Sequence, residues 1–79
     1  MVIEIKYCVP CGYLSRAEEL QHALLSEFGG RLEAVALKTG DSGVFELSAN
    51  GDMLFAKPEE FHLDEVVARV RNLLAQAAA

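Results

Sequence analysis

The alternation of strand and helix patterning over the first 38 residues constrains this chain's fold more than any other feature. Residues 2–7 (Val-Ile-Glu-Ile-Lys-Tyr) are rich in β-branched residues at period two and predict a strand. From about Cys11 to Phe28 the period changes. Leu14, Ala17, Leu20, Leu24 and Phe28 recur at spacings of three or four, while Arg16, Glu18, Glu19 and Glu27 fall elsewhere, so this stretch reads as an amphipathic helix stopped by Gly29-Gly30. Residues 32–38 (Leu-Glu-Ala-Val-Ala-Leu-Lys) form the next strand. A strand, a helical crossover and a second strand make a βαβ unit, which is parallel and right-handed in nearly all proteins.

The rest of the chain extends that sheet. Thr39 to Gly43 is a loop, and residues 44–49 and 52–56 are short strands around Asn50-Gly51. That dipeptide is the strongest short hairpin signal, because a type I′ turn needs positive φ twice. A second helix is expected from about Asp64 to Gln76, with Val66, Val67, Val70, Leu73 and Leu74 as its buried stripe. Asp64, or His62 with Glu65, is a candidate cap for its start. Strand parity collects Ile3, Ile5, Tyr7, Val35, Leu37, Phe45, Leu47, Met53 and Phe55 on one face, with Glu33 the one charge among them. Glu4, Lys6, Glu46, Ser48 and Asp52 fall on the other, with Val2, Ala34, Ala36 and Leu54. Only one face is strongly apolar, so both helices should pack there. The expected fold is an α/β, thioredoxin-like two-layer sandwich of order β-α-β-β-β-α, with a four-stranded mixed sheet ordered 2-1-3-4. With 79 residues it is one domain, and 52% hydrophobic content supplies its core.

The formal charge of −5 repels phosphate backbones and anionic lipid headgroups, and the 7 basic residues form no run. Neither nucleic acid nor a membrane is an expected partner. No apolar stretch approaches the roughly 18 residues that span a bilayer. The alternating start reads as strand rather than as a leader, so the expected compartment is the reducing cytoplasm, where structural disulfides are rare.

Cys8-Val9-Pro10-Cys11 then reads as chemistry. Cysteines at i and i+3 bring their Cα atoms within disulfide range, roughly 4.4–6.8 Å. The loop they close is tiny, and the chain-entropy gain is only about 2 kcal/mol. This spacing is poor reinforcement and a good reversible switch. Pro10 suits the first turn of a helix, and a helix start favours a thiolate. The macrodipole supplies only about 0.3–1 kcal/mol at an exposed site, so N–H···S hydrogen bonds must share the task. Gly12 and Tyr13 are placed to offer theirs. Zinc would need further ligands, and only His22 and His62 are at hand, far apart in sequence. Redox use is therefore favoured over metal binding and over idle cysteines.

Tyr7-Cys8-Val9-Pro10-Cys11-Gly12-Tyr13 resembles the redox motif of the selenoprotein W-like family, called Rdx. Ser42-Gly43-Val44-Phe45-Glu46-Leu47, with Asn50-Gly51 and Phe55-Ala56-Lys57, is similar to that family's second hallmark. The resemblance spans nearly the whole chain. It implies a thioredoxin-like fold and a role in thiol redox homeostasis, with glutathione or protein disulfides as partners and no bound cofactor. Selenocysteine, where the family has it, takes the second motif position, so the resemblance implies Cys11 as nucleophile and Cys8 as resolving thiol. Ordinary thioredoxins place a cis-proline opposite the dithiol. Here that stretch is Asp41-Ser42-Gly43, and Ser42 and Gly43 are expected to approach the dithiol and present backbone groups to a partner.

Val9, Pro10, Gly12, Tyr13, Ser42 and Gly43 are thus the candidate substrate surface around Cys8 and Cys11. Lys6 is expected to pair with Glu4 or Glu46 on the solvated face, and Tyr7 to pack in the core. His22 and His62 read as surface or capping residues. No Ser/His/Asp arrangement or carboxylate pair supports hydrolysis. Two functions remain in competition: a thiol–disulfide oxidoreductase, and a redox-regulated interaction module without turnover. Either is compatible with a monomer or a weak homodimer.

Overall fold

The computed structural model describes residues 1–78. Four strands and two helices appear in the expected order: β1 (Val2–Cys8), α1 (Leu14–Phe28), β2 (Ala34–Gly40), β3 (Phe45–Ala49), β4 (Asp52–Ala56) and α2 (Leu63–Ala78). The sheet order is β2-β1-β3-β4. β1 runs parallel to β2 and antiparallel to β3, and β3 and β4 form the hairpin. The sheet is therefore mixed, and its parallel half is the βαβ unit.

One face of this sheet carries the core. Ile3, Ile5, Tyr7, Val35, Phe45, Leu47 and Phe55 are buried there against Ala17, Leu20, Leu24 and Phe28 of α1 and Val66, Val67, Val70 and Leu74 of α2. Both helices pack on this face, giving two layers, as one-sided strand patterning requires. The Asn50-Gly51 turn has φ of 52° and 89°, the paired positive values of a type I′ turn. Asn50 also reaches across the sheet: its Oδ1 accepts the Val2 N–H at 2.9 Å, and its own N–H donates to the Val2 carbonyl.

Met53 departs from expectation. Parity along an uninterrupted strand would bury it, yet it is 55% exposed. The pairing passes from Leu47↔Phe55 to Ser48↔Met53, so Leu54 is an extra residue in the hairpin. Such a bulge reverses the alternation. Met53 turns to the open face beside Ser48, while Leu54 packs partly against the core. The start of α2 also differs. The helix begins at Leu63, and Asp64 lies inside it, where its Oδ1 accepts the Glu65 N–H at 3.0 Å rather than forming a cap box with His62.

Candidate redox site

The site forms where three connections meet at the carboxyl ends of the two parallel strands. Cys8 ends β1, opposite Gly40 at the end of β2. The link from β2 to β3 must pass over β1, because β1 lies between them in the sheet. It does so through a tight turn at Asp41–Val44, with φ of 58° at Ser42 and 78° at Gly43 and the Val44 N–H donating to the Asp41 carbonyl at 3.2 Å. This strap clasps the outgoing chain. The Cys8 N–H donates to the Val44 carbonyl at 2.8 Å, and the Val9 N–H donates to the Gly40 carbonyl at 3.1 Å. Gly40 is needed here, since a Cβ would stand 2.7 Å from Val44 Cγ1 and 3.1 Å from Lys6 Cε. Ser42 and Gly43 therefore belong to the strap that holds the motif's first residues.

Cys8 and Cys11 are joined in a disulfide, with Cα atoms 5.3 Å apart. Their surroundings differ. Cys8 is fully buried, whereas Cys11 is exposed and is flanked by exposed Val9 and Leu14. Pro10 is exposed in the same turn. Gly12 takes φ of 78°, and a Cβ there would meet nothing within 4 Å, so the approach to this side of the motif is open.

The thiols do not sit at the start of a helix, contrary to expectation. α1 begins at Leu14, with Tyr13 at its N-cap, so Pro10 and Cys11 lie in a turn before the helix and not in its first turn. The Gly12 and Tyr13 N–H groups are not offered to sulfur. Gly12 donates to the Val9 carbonyl at 3.1 Å, and Tyr13 to the Cys8 carbonyl at 3.4 Å. The motif closes on itself as a hydrogen-bonded turn, and the positive φ of Gly12 carries the Tyr13 amide back to the strand end.

Lys6 also departs from expectation. Glu4 pairs with Lys38 at 2.6 Å, and Lys6 makes no ion pair among the described residues. Instead it lines a surface groove of about 450 Å³ with Val9, Thr39, Gly40, Asp41 and Val44, directly beside the motif.

Tyr13 was a candidate from the sequence, but Arg16, Lys57 and Phe61, which gather near it, were not. The Tyr13 ring packs edge-on against buried Phe45, with centroids 5.9 Å apart, and Phe45 packs in turn against Phe61 at 5.2 Å. The Arg16 guanidinium stands over Tyr13, Phe45 and Phe61 at 4.9, 5.5 and 5.1 Å. Lys57 donates a hydrogen bond to Tyr13 Oη, and this bond, with the lysine's charge, lowers the phenol's pKa below its ordinary 10.0. The i, i+3 spacing of Tyr13 and Arg16 was a usable signal. Nothing local connects Tyr13 with Lys57 or Phe61. His22 and His62 are both exposed, the latter 3.4 Å from Glu60, and among the described residues no three His, Cys, Asp or Glu side chains gather as a metal site.

The model of the Rdx family matches residues 2–72. Two solved structures resemble this one closely. A selenoprotein W-related protein from Vibrio cholerae superposes with a TM-score of 0.87 at 32% identity, over 92% of this chain and 95% of that one. A protein from Bordetella parapertussis superposes with a TM-score of 0.86 at 36% identity, over 91% and 95%. Among curated proteins, migration and invasion enhancer 1 of Mus musculus is 34% identical over 76 residues, and that of Bos taurus 33%, in each case over 89% of this chain. The chain spans 64% of the length of those two relatives.

Proposed function

Because the chain belongs to the Rdx family, we propose that Cys8 and Cys11 work as a reversible dithiol–disulfide couple, with Cys11 attacking and Cys8 resolving. The observation that carries this reading is the unequal burial of two bonded cysteines: Cys8 is fully buried and hydrogen-bonded to the β2–β3 strap, and Cys11 stands in the open. A partner's sulfur reaches only an exposed one, and exchange requires in-line access to that atom.

In the reducing direction the Cys11 thiolate attacks one sulfur of a partner disulfide. A Cys11–partner bond forms, the partner's own S–S bond breaks, and the displaced thiolate takes up a proton. Cys8 then gives up its proton and attacks Cys11 Sγ, which forms the Cys8–Cys11 bond and releases the second partner thiol. Two electrons pass from the protein to the partner, and a thiol reductant such as glutathione restores the dithiol. Glutathione mixed disulfides and protein disulfides suit this cycle, and the cytoplasm supplies the reducing power it needs. Val9, Pro10, Gly12 and Tyr13 border the reacting sulfur. The strap with Ser42 and Gly43 supports Cys8.

The experiment is steady-state reduction of a model disulfide with excess reduced glutathione. Turnover above that of glutathione alone, lost in Cys11→Ser, supports the reading. Exposed Val9 and Leu14 beside Cys11 also favour a second reading, a docking surface altered by oxidation. Absence of turnover together with redox-dependent binding of a partner would replace the first reading by the second.

A further inference from the structure

Arg16 and Lys57 lie 4.9 and 4.7 Å from the centroid of one phenol ring, that of Tyr13, and neither has a carboxylate partner among the described residues. In a chain of net charge −5 this is notable, because spare carboxylates are plentiful. The nearest ones in sequence after Lys57 are engaged elsewhere: Glu59 is held by Arg69, and Glu60 lies beside His62. Two like charges gathered at one ring repel each other, and cation–π attraction offsets this only in part. An anion drawn to both would offset the repulsion.

The patch borders the reacting turn. Tyr13 is two residues from exposed Cys11, and its N–H donates to the carbonyl of Cys8. Exposed Val9 and Leu14 add apolar surface on the same segment. We propose that Tyr13, Arg16 and Lys57 form a carboxylate-reading patch that selects protein segments carrying aspartate or glutamate near their reactive cysteine. This rests on the reading of Cys11 as the attacking sulfur and adds the class of partner it meets. The donors suit the task. Arg16 has its full guanidinium fork free of ion pairs, and Lys57 keeps N–H groups beyond the one given to Tyr13. The Tyr13 oxygen accepts from Lys57, which leaves its own O–H free to donate. Its proton is also more acidic than an ordinary phenol's, chiefly through that hydrogen bond.

The test separates binding from chemistry. The oxidised protein is titrated with two redox-inert peptides, each bearing S-methylcysteine, with flanking glutamates in one and glutamines in the other. Binding is followed by amide chemical shifts at low and high salt. The acidic peptide should bind about tenfold more tightly at low salt, with the gap closing as salt rises. Its shifts should centre on residues 11–16, 57 and 61. Arg16→Gln and Lys57→Gln should each remove about threefold, and the double variant the whole preference. Arg31→Gln, which removes the same charge at the other end of the sheet, should change nothing. Equal binding of the two peptides, or shifts centred on the Lys6 groove, would overturn the proposal. Turnover of model disulfides is scored separately: its absence would sink the redox reading whatever the peptides do.

Discussion

Cys8 closes a strand and is held on both sides, its N–H given to the Val44 carbonyl and its own carbonyl taken by the Tyr13 N–H. Three residues later Cys11 sits in a turn, exposed, and neither its N–H nor its carbonyl joins a backbone hydrogen bond among the described residues. The two sulfurs share a bond but belong to different parts of the molecule. Cys8 is an extension of the core sheet. Cys11 belongs to the surface that also holds Val9, Leu14, Tyr13 and Lys57. One cysteine is held in the sheet and the other stands exposed, which is the division of labour that the proposed resolving and attacking thiols require.

Breaking the pair from each side gives the largest effect. Cys11→Ser should abolish turnover, by about a hundredfold or more, because no exposed thiol remains. Cys8→Ala should slow the cycle one step later, since attack persists and only external glutathione is left to resolve the adduct. Steady-state rates of the two variants check this. Next comes the core under the Cys8 side. Phe45 is fully buried and packs edge-on against Tyr13, Phe55 and Phe61. Phe45→Ala should cost about 3–5 kcal/mol in denaturant unfolding and make Cys8 alkylate faster in the reduced protein. Leu14→Ser on the Cys11 side should stay within about 0.5 kcal/mol of the wild type.

Reduction of the disulfide should be a smaller perturbation. The loop it closes is so short that stability should fall by about 2 kcal/mol or less, which thermal unfolding with and without reductant measures. The smallest effect concerns acid. The hydrogen bond from Arg69, and then its charge, holds the Glu59 carboxyl below its ordinary 4.5. A depressed carboxylate contributes stability above its unfolded pKa and loses it as pH falls through the folded value. Arg69 also donates to the Leu54 carbonyl at 2.9 Å, so this contact anchors the segment bearing Lys57 and Phe61. Stability should therefore drop on acidification below about pH 4.5, less steeply in Glu59→Gln, as unfolding midpoints across that range report.

The same contrast explains what could be read from the chain alone. Elements set by periodicity were legible: the βαβ unit, the Asn50-Gly51 hairpin and the one-sided sheet; the strand order was expected correctly, but periodicity alone does not fix it. The cysteine motif was legible too, as was the family it resembles. What escaped depends on contacts between distant residues or on local breaks in a pattern. The bulge at Leu54 reversed Met53 without any glycine to announce it. Gly12 delayed the helix by folding its amides back onto Cys8 and Val9, although the apolar period ran unbroken into the turn. Lys6 lost Glu4 to Lys38 on the neighbouring strand, a competition that register decides. Lys57 reaches Tyr13 across 44 residues, where no local rule applies.

The unequal roles of the two cysteines are tested most directly by trapping. The reduced Cys8→Ala and Cys11→Ala proteins are each mixed with one equivalent of a peptide disulfide and followed by intact-protein mass spectrometry. A mixed disulfide that builds up quickly on Cys11 in the first protein, with little or none on Cys8 in the second, is the predicted result. Faster capture by Cys8 than by Cys11 would contradict it.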